Sequence, residues 1–449
     1  MTKLVGKGFD GASNMSGCVS GVSTRLKQLY PSAKYFTHCR NHALNLAIVA
    51  SCKQCPDIRS FMDTFKQLTL FFGYSAKRKH ILQKHLKDTE VQKNLLADSI
   101  EDEDLLVPDR NYRGLPTLSD TRWLTRVDSI ACLLKHFKGI CEAVEEIRAS
   151  STGQSSSDAD SYLNRLMKFE FLASAAISRH ILAYTRPLTV ALQGKKCDLL
   201  KAHAMAQRLV KALEAERKEE KFRTLWQEIK DVAGTLNLEP VKKRTTSVQR
   251  HRVNPPVNDV EAHYRVSYFY YFLDHTISHL KTRFPAELEG ALLGTYLLPS
   301  KIKFLTNETV TKIKSEFKDI LPYATEFEVE VNTWKIYMTE LNYTPSNDKS
   351  DLLDGSCIAR RSCEFYPNIN AILSLLLVLP VGSCSCERSF SALRRLKTWC
   401  RTTMTDARLD SLAVGSINCG RTPTPEQVLR VWDRSGHRRI ATALQLIQQ

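Results

Sequence analysis

The stretch from residue 3 to Ser51 constrains this chain more than any other, because strand and helix patterns alternate along it. Residues 3–9 read as a strand, and Ala33–Cys39 as a second. Between them Val19, Val22, Leu26 and Leu29 recur three and four apart on one helical face. Asn14 or Ser16 can cap that helix, and Tyr30-Pro31 stops it. Asn41–Ser51 reads as a further helix. Such a β-α-β unit predicts two parallel strands. It also puts Asp10, set between glycines in "VGKGFDGASNMSG", just past the carboxyl end of its strand, the edge where α/β folds hold their chemistry.

The rest of the chain reads as helix with polar interruptions. Phe61 to Lys87 is helical and basic, and an acidic loop follows at Asp98–Asp109. "LSDTRWLTRVDSI" (Leu118–Ile130) leads into another helix, while the Ser-rich "SSTGQSSSDAD" (Ser150–Asp160) reads as a mobile linker. Residues 161–236 show helical periodicity with no strand alternation. Leu238–Asp259 interrupts with Pro, Asn and a basic run, helices resume over Val260–Phe284 and continue to about Asn342, and Thr344–Ser356 is a second polar break. The expected fold class is therefore α/β: a core interrupted by a large all-helical insertion. The expected domains are 1–125 for the N-terminal part of the core, 126–365 for the insertion with its basic linker 238–259, and 366–449 for a returning core helix and a helical C-terminal region.

Charge narrows the partners. With 64 Lys+Arg against 48 Asp+Glu the net charge is +16, which favours a polyanion and nucleic acid first. The longest apolar run, Ile369–Leu379, ends at Pro380 and is too short to span a bilayer, so no membrane partner is expected. Thirteen cysteines in no framework imply reduced thiols in a cytosolic or nuclear compartment. No P-loop, hydrolase elbow or zincin motif is present.

Four constellations could carry chemistry. Asp10 and Glu387 are acids that a fold could bring together on a divalent metal such as Mg²⁺, although any two acids could be so named. Cys39 and His42, and Cys52 and Cys55, have zinc-ligand spacing, but they also suit a strand-to-helix turn and a helix end. Lys242, Lys243, Arg244, Arg250, His251 and Arg252 could contact phosphates, serve nuclear import, or form a solvated loop. Arg122 and Trp123 could stack on a base, or Trp123 could be core.

In order along the chain, "GKGFDGASNMSG" (6–17), "HCRNHALNL" (38–46), "DTRW" (120–123), "RHRVNPPV" with "HYRVSYFYYFLDHTISHLKTRF" (250–284) and "CERSFSALRRLKTWCRTTMTDARLDSLAVGSI" (386–417) resemble the hAT superfamily of DNA transposases. Within it they look more like domesticated hAT-derived proteins related to MYM-type and THAP-type zinc-finger proteins. The resemblance implies an RNase H-like core split by a helical insertion. It implies an Asp-Asp-Glu site with Mg²⁺, in which Asp10 matches the second acid and Glu387 the last, within Cys386-Glu387-Arg388. Cys39 and His42 match a Cys-x2-His implied to lie beside the scissile phosphate or a flipped base, and Arg122-Trp123 match the family's Arg-Trp. The C-terminal block implies homodimerisation, and the pattern Phe390, Leu393, Leu396, Leu409, Leu412 and Val414 within it supplies apolar surface that could be core or interface.

One departure shapes the functional expectation. No acidic residue precedes Asp10, so the first acid of the triad and the usual N-terminal zinc finger have no counterpart here. The expectation is a truncated core, a vestigial Asp10–Glu387 pair and a non-catalytic nuclear protein that dimerises and binds DNA, protein or both. Mg²⁺ is expected only for a complete, active site, and otherwise no cofactor. A fragment of an active transposase and a helical interaction scaffold are the alternatives.

Overall fold

The computed structural model describes residues 4–96, 123–194, 197–241, 259–287, 289–341, 351–398, 401, 403–417 and 423–434. Among the described residues the one sheet is a parallel pair, β1 (Gly6–Phe9) and β2 (Tyr35–His38), with Gly6 opposite Tyr35 and Phe9 opposite His38. Backbone bonds continue it at each end, from Tyr35 N–H to the Val5 carbonyl (3.1 Å) and from Cys39 N–H to the Phe9 carbonyl (2.8 Å). No further strand occurs among the described residues, which are predominantly helical, so the α/β class expected from the sequence is corrected to a mainly helical one with this single parallel pair.

The connection between the strands departs from expectation. Instead of one helix through Val19 there are two, Ser13–Ser16 and Val22–Leu29. Glycines cause the break: a Cβ on Gly21 would lie 2.5 Å from the Gly17 nitrogen and 2.6 Å from its oxygen, an approach open only to glycine. Val19 is left 84% exposed in the gap.

The remainder of Met1–Gly382 is one compact unit of helices around two apolar clusters. In the first, helix Arg40–Gln54 packs on helix Tyr271–Arg283, burying Leu44, Ile48, Phe272 and Leu273. In the second, helix Phe327–Glu340 buries Trp334, whose indole N–H donates to the Leu297 carbonyl at 2.9 Å, beside helix Pro367–Val378. Local signals set several of the starts. Pro56 and Pro367 open their helices, where a missing N–H costs nothing, and Asp198 caps helix Leu199–Glu216 by accepting from Lys201 N–H at 2.7 Å.

Two more expectations are corrected. The Ser-rich stretch is not a linker: Gly153, at φ 63°, turns the chain into helix Gln154–Leu166. Burial of Ala159 and Leu166 and the bond from the Ser156 hydroxyl to the Arg148 carbonyl (2.9 Å) hold it. The helix read over Val260–Phe284 contains a π-helical segment, Arg265–Tyr270. Tyr264, Tyr268, Phe269, Phe272 and Leu273 are buried along this stretch.

The second unit is Ser383–Gln449. Helices Cys384–Leu396 and Asp406–Ile417 pack on one another, and helix Pro425–Arg434 follows. Among its described residues only Cys384 and Ala392 are buried.

Candidate functional site

The front strands end in a small polar cluster. Asp10 follows β1, half-buried, and its Oδ1 accepts the Ala12 N–H at 3.3 Å, fixing the loop by the carboxylate's own turn. The next residue, Gly11, lies against two imidazoles: a Cβ there would meet His38 Nε2 at 2.8 Å and His42 Cδ2 at 3.4 Å. His38 ends β2, His42 sits in the first turn of helix Arg40–Gln54, and their rings are 5.6 Å apart. His38 Nε2 is buried with no hydrogen-bond partner among the described residues. Burial, with His42 next, pushes the His38 imidazole below its ordinary range, so it stands neutral at pH 7.

The sheet is closed by chain from the end of the same unit. A Cβ on Gly6 would collide with Leu379 Cδ2, and one on Gly8 would come within 2.5 Å of Pro380 Cγ. Arg40 N–H donates to the Val381 carbonyl at 3.0 Å, and Gly382 lies against Cys39, where a Cβ would be 3.0 Å from Sγ. The segment Gly6 to Gly11 does spell G-x-G-x-x-G, a dinucleotide-binding pattern. Here Gly6 and Gly8 lie inside β1 and make room for Leu379 and Pro380, not for a pyrophosphate.

The structure thus gathers Asp10, His38, Cys39 and His42. Cys52 and Cys55 lie at the far end of a 15-residue helix, about 20 Å away by its rise, so the two zinc-spaced pairs do not share one tetrahedron. Burial, with Asp57 next, pushes the Cys55 thiol up to about 12, the reverse of what a metal-bound thiolate needs. Among the described residues no group of three or more His, Cys, Asp or Glu side chains is placed to hold a metal ion. The neighbours of the Asp10 loop are imidazoles, not the hard oxygens that suit Mg²⁺.

Glu387 lies in the second unit, in the first turn of helix Cys384–Leu396, where the Ser383 hydroxyl donates to its Oε1 at 3.1 Å. Trp123 begins helix Trp123–Lys135. Arg122, Lys242, Lys243, Arg244, Arg250, His251 and Arg252 lie outside the described residues. Of the apolar dimerisation set, Phe390 is 69% exposed, Leu412 and Val414 are also exposed, and Leu393, Leu396 and Leu409 are half-buried. Sequence reasoning missed a cleft of about 520 Å³ beside β2, where His38, Arg40 and His203 meet Glu287, Glu289 and Glu316. Its residues come from segments with no shared motif, so no local signal announces it. No helix among the described residues is long and apolar enough to cross a membrane.

Residues 336–418 match the hAT family C-terminal dimerisation region, which bears out the hAT resemblance read from the motifs. The chain is also similar to curated proteins named 52 kDa repressor of the inhibitor of the protein kinase. The relative from Mus musculus is 24% identical over 426 residues, covering 92% of this chain and 53% of that protein. The relative from Homo sapiens is 23% identical over 428 residues, with the same two coverages. The chain spans about half the length of these relatives.

Proposed function

We propose that this chain, which carries an hAT C-terminal dimerisation region, is a transposase-derived nuclear protein that pairs with a second copy and binds DNA or protein partners without cutting DNA. The observation that carries it is the exposed apolar surface of the second unit, where Phe390, Leu412 and Val414 fall inside the matched region. The net charge of +16 supports a polyanionic partner, with the basic linker 242–252 and Arg122-Trp123 as the contacts. The names of the relatives support a regulatory rather than a catalytic role.

In this reading β1, β2 and helix Arg40–Gln54 are part of an RNase H-like core. The return of Leu379–Gly382 to β1 and Cys39 after a long helical stretch supports an interrupted core. Asp10 and Glu387 are vestiges of an Asp-Asp-Glu site. A second reading, part of an active transposase using Mg²⁺, is favoured by one observation: Asp10 sits at the carboxyl end of a parallel strand with two histidines beside its loop.

Light scattering and a cleavage assay on supercoiled DNA separate these readings. The first expects a dimer at tens of micromolar and no Mg²⁺- or Mn²⁺-dependent cutting. Cutting that is lost in both Asp10→Asn and Glu387→Gln would establish the second in its place.

A further inference from the structure

The cleft of about 520 Å³ runs along the outer edge of β2, for Lys34, Tyr35, Phe36, Thr37 and His38 all line it. A cleft over one face of a strand would meet only alternate residues, because successive side chains point to opposite sides. Five in a row mark the edge itself. The backbone agrees. Tyr35 and Cys39 turn their N–H groups toward β1, so the period of two turns those of Phe36 and His38 the other way, into the cleft. Among the described residues these two N–H groups have no hydrogen-bond partner. The other walls come from Leu199 and His203 and from the segment carrying Glu287 and Glu289, all within the first unit.

Charge on these walls is unspent. Arg40, just past the carboxyl end of β2, lines the cleft with its guanidinium 5.8 Å from the centre of the Phe284 ring. Burial pushes that guanidinium below its ordinary value, and among the described residues it has no ion-pair partner. Glu316 is taken by Lys34 at 3.6 Å, whereas Glu287 and Glu289 have no ion-pair partner among the described residues.

We infer that this cleft takes an extended segment of a partner protein, added as a strand along the outer edge of β2, with a carboxylate of the segment meeting Arg40 and a basic side chain meeting Glu287 and Glu289. Main-chain bonds at Phe36 and His38 supply affinity, and the charged groups set direction and choice of partner. The carboxylates of the cleft disfavour a nucleic-acid strand, whose phosphates they repel. The inference rests on the protein-partner part of the proposed function and gives it a place, apart from dimerisation and from DNA contacts at the basic linker.

A random library of seven-residue peptides with free carboxyl termini, screened against the full chain, supplies the probe, and fluorescence anisotropy then measures the peptides recovered. Phe36→Pro removes an outward N–H and no bond to β1, a change that an edge strand tolerates. It should weaken peptide binding at least about tenfold, and Phe36→Ala, which keeps the N–H, by less. Arg40→Ala and Glu289→Lys should each weaken it as well. Residue-resolved hydrogen exchange on the unsubstituted chain gives a measure independent of any variant's folding. Bound peptide should protect the Phe36 and His38 amides and leave Tyr35, already bonded to Val5, unchanged. Peptides that bind equally well to Phe36→Pro, or that protect only other segments, would overturn the inference and leave a protein partner at another surface. A library without binders, or displacement of the peptide by a single-stranded oligonucleotide, would also overturn it, while the dimer and the absence of cutting stand on their own assays.

Discussion

Pro380 lies so close over Gly8 that a Cβ on the glycine would come within 2.5 Å of the proline ring carbon Cγ. Pro380 is held by the helix before it and Gly8 by the sheet, so neither can withdraw without disturbing its element. Gly8→Ala should therefore destabilise the chain by about 1–3 kcal/mol, the usual cost of overpacking. Gly234→Ala, at a helix end with nothing within 4 Å of the added carbon, should be neutral or slightly stabilising. Urea midpoints of the two variants make the comparison, and equal losses would remove the close-packing account.

Glu330 ties helix Phe327–Glu340 to the start of helix Pro367–Val378. Its Oε1 accepts the Ile369 N–H at 2.9 Å and its Oε2 accepts from Asn368 Nδ2 at 2.5 Å. Glu330→Ala leaves buried donors unmet and should cost about 1–3 kcal/mol. Burial raises the Glu330 carboxyl above 4.5, outweighing the bonds from Ile369 and Asn368 that lower it. A raised value means the folded state favours the proton. The associated stability is present below the ordinary carboxylate range and is lost as pH rises through the raised value. Stability against pH should flatten over that window in Glu330→Gln, and an unchanged profile would rule the group out.

His38 works in the opposite direction. Its depressed value favours the neutral ring in the folded state, so its contribution is present above 6.5 and is lost as pH falls through the lowered value. Proton-detected titration of the histidines should find His38 titrating below 6.5. A midpoint at or above that value would contradict the burial beneath Gly11.

Substitution in the dimerisation region should act on assembly before stability. Leu412→Asp should shift the chain toward monomer, with little change in the melting of the first unit. An unchanged mass by light scattering would remove Leu412 from the interface.

DNA affinity, if carried by the linker, should fall steeply with salt. Replacing Lys242, Lys243, Arg244, Arg250 and Arg252 by Ala should reduce the slope of log affinity against log salt by roughly one for every phosphate no longer neutralised. An unaltered slope would place binding elsewhere.

The front of the molecule was legible because its signals are local. Parallel strands, the position of Asp10 and the helix after Cys39 follow from alternation, turn residues and connection rules, and β1, β2 and Arg40–Gln54 realise them. What escaped depended on distant partners or on close backbone approach. Gly17 and Gly21 break a helix through a proximity that no periodicity reports, and Gly6 and Gly8 are explained only by Leu379 and Pro380. The helix Gln154–Leu166 needs Ala159 and Leu166 buried before its serines cease to look like a linker. The π-helical turn at Arg265–Tyr270 lies inside an ordinary helical pattern that gives no sign of it. Of the candidate site, the neighbourhood of Asp10, Cys39 and His42 could be read from resemblance, whereas the buried nitrogen of His38 and the cleft shared with His203 required coordinates.

The seating of Leu379 and Pro380 on β1 also sets a schedule for biosynthesis. The ribosome makes the first strand about 370 residues before the segment that shields it, which at 5–20 residues per second is roughly 20 to 75 seconds. Throughout that interval Gly6 and Gly8 lack the Leu379 and Pro380 side chains that cover them in the folded chain. Early association with a chaperone, rather than spontaneous folding from the front, is the route this order of emergence favours.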